Sequence, residues 1–426
     1  MKIEVDPLAR VEGEGGIEVE IEGNQVRDVK FNIFEGPRFF ESFIKGMHYE
    51  KVPDVMRRIC AICTCSHSMA SVKAVEDALG VKVSRQTELL RDLLIHGEMV
   101  ESHALHVFAL ALPDFLGFPS VVHMAQKYPK EVKGALQLKK AGNLVHNLLA
   151  GREVHGMNER VGGFATVPSE EDLKRIKQAM EMTREFALLS VKLFSSFQLP
   201  DAPKSENTFI AVDPGKRFGY FGLRHAASDG TSWDVHDYRK YIQETTVKHS
   251  RAKHSSYKGK PFMVGALARL KLFGDRLEGE AKELFREHQS KLDYSNSISN
   301  NLAQAIELVH SVDRCISDVE ELLSLGLRRE KPVEVKPRAG TGTASVEAPR
   351  GTLIHSYRFD AKGRVVWADV ITPTAMNAAN VDKDFRVAAP RLVGNQKELE
   401  RVLEIIARAY DPCISCATHL VRVKWL

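Results

Sequence analysis

Four of the six cysteines in this chain fall in two Cys-x-x-Cys pairs at its opposite ends. Cys60 and Cys63 lie in Arg58-Ile59-Cys60-Ala61-Ile62-Cys63-Thr64-Cys65-Ser66-His67; Cys413 and Cys416 lie in Asp411-Pro412-Cys413-Ile414-Ser415-Cys416-Ala417-Thr418-His419. Thiolates at this spacing can converge on a soft transition metal. A site shared by both pairs would require a fold that closes almost its whole length on itself. The pairs of a four-cysteine zinc site usually stand only about 15–20 residues apart, and a redox Cys-x-x-Cys usually follows a strand in a small βαβ unit. Neither pair shows that context clearly. Spacing alone leaves a structural metal and a catalytic one evenly matched.

With 426 residues the chain can bury one large core or two fused ones. Its 43% apolar and 27% charged residues are ordinary for a soluble globular protein, and a net charge of +4 spread along the chain makes no case for nucleic acid. No apolar run reaches the roughly 18 residues of a membrane span, and Met1-Lys2-Ile3-Glu4-Val5-Asp6 is no signal peptide. Metal-type cysteine pairs suit a reducing compartment better than a disulfide framework, so a cytoplasmic location is expected, with Cys65 and Cys315 as free thiols.

Ile17, Val19 and Ile21, then Gly23-Asn24, then Val29, Phe31 and Ile33 read as a β-hairpin with one buried face. Ser66 to Leu79 is helix-like and stops at Gly80, which puts the first cysteine pair at a helix N-terminus, where the dipole favours thiolate. The middle is helical. Leu89, Leu93, Val100, Ala104 and Val107 form a stripe ended by Pro113, and Val132, Leu136, Leu144 and Leu148 suggest a second helix. A third begins at Ser169, with Glu170, Glu171 and Asp172 in its first turn, and runs to about Phe197. Leu302, Ala305, Ile306, Val309, Val312 and Ile316 mark a further long helix ending by Gly326. Residues 207–235 look like short strands, and Lys331 to Ser345 reads as a surface loop leading to the site. Leu353–Phe359 and Arg364–Val370 form a second hairpin; a last helix, Leu399 to Tyr410, delivers Asp411 and the second pair. The expected fold is α+β and predominantly α: a bundle of long helices with peripheral β-hairpins and small sheets, as one domain over residues 1–426.

Further motifs accompany the cysteines: Arg10-Val11-Glu12-Gly13, Glu35-Gly36-Pro37-Arg38-Phe39-Phe40-Glu41, Glu101-Ser102-His103-Ala104-Leu105-His106, Lys253-His254 to Arg269, and Glu347-Ala348-Pro349-Arg350-Gly351 followed by His355. Together they span nearly the whole chain, which resembles the large, catalytic subunit of nickel–iron hydrogenases. Within that family it is most similar to the cytoplasmic, NADP-linked branch often called sulfhydrogenases.

The resemblance implies reversible heterolytic cleavage of H2, with possible sulfur or polysulfide reduction by the complex. Cys60, Cys63, Cys413 and Cys416 would bind nickel, with Cys63 and Cys416 bridging to an iron that carries two cyanides and one carbon monoxide. Glu12 would exchange a proton with the Cys413 thiolate. Arg350 would lie over the metals, paired with Asp411, on a loop stiffened by Pro349, and His67 would hydrogen-bond a bridging sulfur. Glu41, His419 and a backbone carbonyl near Val370 would hold a magnesium ion. Leu420 to Leu426 would be a maturation peptide, cut after His419 by a dedicated endopeptidase. A small iron–sulfur subunit, flavin/NADP-binding diaphorase subunits carrying further iron–sulfur clusters, and maturation proteins are the implied partners.

Elementary chemistry agrees with these roles. Soft thiolates suit nickel, and a small substrate needs a vacant position. Heterolytic cleavage releases a proton, so a base must stand near. A guanidinium cannot deprotonate, and when buried it needs a partner; a water-rich magnesium shell needs few protein ligands. Taken singly, Glu12 and Glu41 also read as solvated carboxylates, His67 as a structural histidine and His419 as a tail residue. His96, His103, His106, His155 and His254 line proton paths or pack on a helix face.

Several positions depart from the family pattern: Glu14 for His, Ala61 for Gly, Gly156 for Pro after His155, and Ser102 where many relatives carry aspartate, so that one carboxylate is missing or moved to Glu101. The same H2 chemistry with F420 or a heterodisulfide-linked chain as acceptor stays open. So do a metal-free coupling subunit of a complex-I-like assembly, though such relatives lose ligand cysteines, and a zinc-stabilised helical scaffold.

Overall fold

A computed structural model describes residues 2–23, 25–200 and 204–418. The N-terminal alternation forms a three-stranded antiparallel sheet in which β1 (Lys2–Val5) adds to the expected hairpin of β2 (Gly15–Glu22) and β3 (Gln25–Ile33). Helix α1 (Thr64–Leu79) begins immediately after Cys63 and ends where Gly80 turns left-handed at φ 68°.

The bundle consists of α2 (Arg85–Ala104), α3 (Pro129–Leu149), α4 (Glu170–Ser196) and α5 (Asn300–Leu325). Local chemistry sets their starts: the Ser84 hydroxyl accepts the Thr87 N–H, and Ser169 with Asp172 closes a full capping box. Helix α5 packs on α2 and α4, and α3 bridges the same two. Two expectations need correction here. The helix containing the Leu89 stripe does not stop at Pro113. It passes through a π-helical turn, Leu105–Ala111, into Leu112–Leu116, where proline sits in the first turn and its missing N–H costs nothing, and it ends at Gly117. In α3, Leu136 is 65% exposed. The buried face uses small residues instead, Gly134, Ala135, Ala141 and Gly142, because the helices approach closely; a Cβ on Gly142 would stand 2.6 Å from the Gly97 carbonyl oxygen.

Two further antiparallel β-units follow, and only the second contains a hairpin expected from the sequence. One is the pair β4 (Ile242–Thr245) and β5 (His254–Tyr257). The other contains β6 (Gly340–Ala348), β7 (Gly351–Phe359) and β8 (Val365–Ile371), with Phe221–Gly222 pairing on β6. Residues 340–345 are thus strand, not surface loop. Their glycines serve close approach, for α1 lies across this sheet and a Cβ on Gly342 would fall 2.2 Å from the Ala74 carbonyl oxygen. Helices α6 (Pro373–Ala388) and α7 (Gln396–Ala409) complete the described chain. The fold is mostly helical with small antiparallel sheets, as expected. One large apolar core runs from Ile3 to Ala417 and contains all four paired cysteines. Among the described residues no helix is long and apolar enough to cross a membrane.

Candidate metal centre

Cys63 occupies the N-cap position of α1, and its N–H donates to the Cys60 sulfur at 3.1 Å. Glu98, from α2, caps the same helix by accepting the N–H groups of Cys65 (2.6 Å) and Ser66 (3.0 Å). Burial pushes its carboxyl up to about 8 in spite of those bonds.

The second pair arrives from the far end of the chain. After α7, Asp411 takes a left-handed backbone (φ 50°), which turns the chain back. The Cys413 N–H then donates to the Thr374 hydroxyl on α6 at 2.9 Å, and the Ile414 N–H donates to the Glu12 carbonyl at 2.9 Å. Bundle side chains hold the approach: His106 Nε2 lies 2.7 Å from the Arg408 carbonyl, and Asn300 Nδ2 donates to the Ala409 carbonyl at 2.8 Å.

The four sulfurs therefore meet. Cys60 Sγ and Cys413 Sγ are 3.4 Å apart, Cys63 Sγ and Cys416 Sγ 3.4 Å, and Cys413 Sγ and Cys416 Sγ 2.7 Å. All four lie within 4.8 Å of one another and are buried. Sulfurs sharing one ion at tetrahedral bonds of ~2.3 Å stand roughly 3.7 Å apart, close to two of these separations. Burial raises the Cys63 and Cys416 thiols. At Cys60 hydrogen bonds from the other thiols and the Arg350 charge overcome burial and lower it. Four thiolates cannot share this volume without a compensating cation, so the donor set fits a soft transition metal.

Pro349 and Arg350 form the two-residue turn between β6 and β7, which projects the guanidinium into the centre. Arg350 Nη2 lies 3.0 Å from Asp411 Oδ1, both side chains being at most 2% exposed, and Nη1 donates to the Ser102 hydroxyl at 3.3 Å. Burial alone would lower the Arg350 pKa, but Asp411 and the thiols Cys413, Cys63 and Cys60 outweigh it and keep the cation charged. Glu101, the neighbour of Ser102, pairs with Lys139 at 2.9 Å. Glu12 lies against the second pair: its Oε2 accepts the Ser415 N–H at 3.0 Å, and its Oε1 accepts the Ser415 hydroxyl. Burial first, then the Cys413 charge, pushes its carboxyl up to about 7 against the lowering bonds from Ser415.

The structure puts His67 Nδ1 3.1 Å from His355 Nε2, on the inner side of α1. Glu41 is buried, and its Oε1 accepts the Val370 N–H at 2.9 Å. The Thr418 carbonyl accepts the Arg38 N–H at 2.6 Å, which ties the described C-terminus to the segment that leads into Glu41. His419 and Leu420 to Leu426 lie outside the described residues. His103 pairs with Glu307 at 2.9 Å, and His155 Nδ1 lies 3.1 Å from the Arg57 carbonyl.

The supporting layer was not foreseen from sequence. Gln304 Nε2 donates to Asp411 Oδ2 at 3.1 Å. Arg269 binds Glu307 (2.6 Å) and Glu347 (2.8 Å) and donates to the Pro349 carbonyl at 3.2 Å, so it props the Arg350 turn from behind. A signal existed: Asn300, Gln304, Glu307, Ser311 and Asp318 recur at helical spacing as one polar row along α5, and all are buried.

The sequence matches the family described as nickel-dependent hydrogenase over residues 38–135 and 223–419. It is 43% identical to the sulfhydrogenase 2 subunit alpha of Pyrococcus furiosus, across 99% of this chain and 100% of that protein. It is 39% identical to the sulfhydrogenase 1 subunit alpha of the same organism, across 99% of each. A solved NAD+-reducing [NiFe]-hydrogenase in the H2-reduced state superposes with a TM-score of 0.87 at 27% identity, covering 98% of this chain and 99% of that one. With four buried thiols gathered from both ends of the chain, the protein belongs to the nickel-dependent hydrogenases, as a nickel–iron large, catalytic subunit acting on H2.

Proposed function

We propose that this chain is the H2-cleaving subunit of a cytoplasmic complex that passes electrons through an iron–sulfur subunit to NADP(H). The observation that carries the site assignment is the placement of the Arg350 guanidinium and the Glu12 carboxyl against the four-sulfur cluster. The acceptor rests on full-length likeness to sulfhydrogenase alpha subunits and to the NAD+-reducing enzyme. The sulfhydrogenase likeness also makes sulfur or polysulfide reduction by the complex part of the reading.

Cys60, Cys63, Cys413 and Cys416 would hold the nickel–iron group with its cyanide and carbon monoxide ligands. Bound there, that group supplies the redox chemistry by which H2 becomes two protons and two electrons. Arg350, held by Asp411, keeps a fixed positive charge over the sulfurs and cannot itself take a proton. Glu12 can: its carboxylate receives a proton from the Cys413 sulfur and hands it outward, and the reverse sequence serves H2 evolution. His67, ordered by His355, would donate to a bridging sulfur. Glu41 and the backbone at Val370, with His419, would hold magnesium. The family match ends at His419, in keeping with removal of Leu420 to Leu426 by a maturation protease.

The test is metal analysis and H2-dependent reduction of NADP+, NAD+, F420 and polysulfide by the purified complex. Nickel and iron near one each per chain, with NADP+ the preferred nucleotide, are expected. Zinc in the four-cysteine site, or F420 preferred over NADP+, would overturn the site or the acceptor respectively. The isolated chain should reduce no dye with H2, since its electrons need the iron–sulfur partner to leave a buried site.

A further inference from the structure

Away from the centre, three ligand-type side chains meet that H2 cleavage does not use. His249 belongs to the 246–253 loop joining β4 to β5, His254 opens β5, and Asp382 lies on α6. His249 Nε2 stands 3.1 Å from Asp382 Oδ2, and His254 Nδ1 stands 3.9 Å from the same oxygen. One donor atom from each residue lies within 4.8 Å of the other two. The other carboxylate oxygen, Oδ1, accepts the Phe31 N–H of β3 at 2.7 Å, and this leaves Oδ2 facing the rings.

We infer that His249, His254 and Asp382 form a second metal site, for a divalent first-row cation such as Zn2+, which ties the 246–253 loop to α6. Two imidazoles and one carboxylate are a donor set suited to zinc or iron(II), with positions left for water. Bonds of about 2.1 Å at near-tetrahedral angles place donors roughly 3.4 Å apart. The two separations from Asp382 bracket that value, and the third lies within 4.8 Å, so the donors are already gathered around one point. The rigid oxygen supplied through Phe31 is the kind of outer support that metal sites use.

One competitor is visible. Arg386 Nη2 lies 3.9 Å from Asp382 Oδ2, but the side chain is 53% exposed and its Nε is already 4.0 Å from Asp28. An arriving cation can displace it toward Asp28, and the open side at His249 and Arg386 gives an entry path. The consequence reaches the centre through α6. That helix carries Thr374, which holds the Cys413 N–H, while the clipped loop is itself tied to β3 by Arg251 N–H donating to the Ile33 carbonyl at 2.7 Å.

The test uses the mature, nickel- and iron-loaded complex, whose thiolates are occupied, cleared of adventitious metal with a chelator and titrated with Zn2+. Bound zinc is counted after gel filtration, and its shell is read by zinc X-ray absorption. Expected are one added zinc per large subunit, a nitrogen/oxygen shell with imidazole scattering, and a raised midpoint in heat scans. His249→Ala should weaken binding by roughly tenfold or more, by analogy with the 10–100-fold lost with an outer partner alone. Asp382→Asn should do the same, and Arg386→Gln should tighten binding. His249 is a loop residue, so its variant folds even if the Asp382 variant does not. Equal zinc in wild type and His249→Ala, or a sulfur shell, overturns the proposal.

Discussion

Glutamine at position 12 isolates the proton relay from the architecture that carries it. The Glu12 carboxylate accepts the Ser415 N–H at 3.0 Å and the Ser415 hydroxyl. An amide oxygen keeps the first bond, and the hydroxyl can rotate to accept from the new NH2 group. The backbone bridge between Glu12 and Cys413 involves no side chain. Nickel and iron contents should therefore be those of the wild type. What the amide cannot do is carry a proton, and a positioned general acid–base group contributes about 10²–10⁴-fold, or about 3–5 kcal/mol of barrier.

The pH profile gives a second reading. Burial, the largest cause and one that no bound metal removes, helps lift Glu12 from 4.5 to about 7, a bias against the carboxylate of about 3 kcal/mol. The proton-accepting form gains as pH rises, so H2 oxidation in the wild type should climb with an inflection in the neutral range. Glu12→Gln should lose this inflection. The sign for stability is the opposite of the usual carboxylate case. The unfolded chain ionises more readily, so above pH 4.5 the native carboxylate is a burden, and the variant should be no less heat-stable near neutrality. The assays are H/D exchange between D2 and water and H2-dependent dye reduction across neutral pH. Exchange within a few-fold of wild type, with both metals present, would refute the relay.

Asp411→Asn removes the counter-charge from a pair whose side chains are 2% and 1% exposed; a loss of about 3–5 kcal/mol should appear as a lower heat-scan midpoint, and an unchanged midpoint would contradict the pairing energetics. Cys416→Ala should lose nickel, whereas Cys65→Ser and Cys315→Ser, whose buried thiols stand outside the cluster, should keep both metals by elemental analysis. Mass spectrometry of active enzyme should find the C-terminus at His419; active, nickel-loaded chain retaining Leu426 would refute processing.

How much was legible in the sequence depends on whether the signal was local. Amphipathic periods, the Ser169 cap and the Gly80 stop are properties of a few consecutive residues, so the helices they mark could be read with boundaries nearly in place. The cysteine pairs could be read as metal-type because spacing and residue chemistry travel with the chain. Pairwise geometry could not. That Leu136 faces outward follows from the small residues through which α3 meets α2, a contact made with a helix many residues away. That residues 340–345 are strand follows from α1 lying across Gly342. Beyond the expected Asp411 pairing, the cradle behind Arg350 is built from Ser102, Arg269 and Gln304, which come from three separate segments. Local pattern is encoded in adjacent residues and determines the elements; which buried polar groups satisfy one another is decided only when burial forces each to find a partner, and that choice belongs to the tertiary structure.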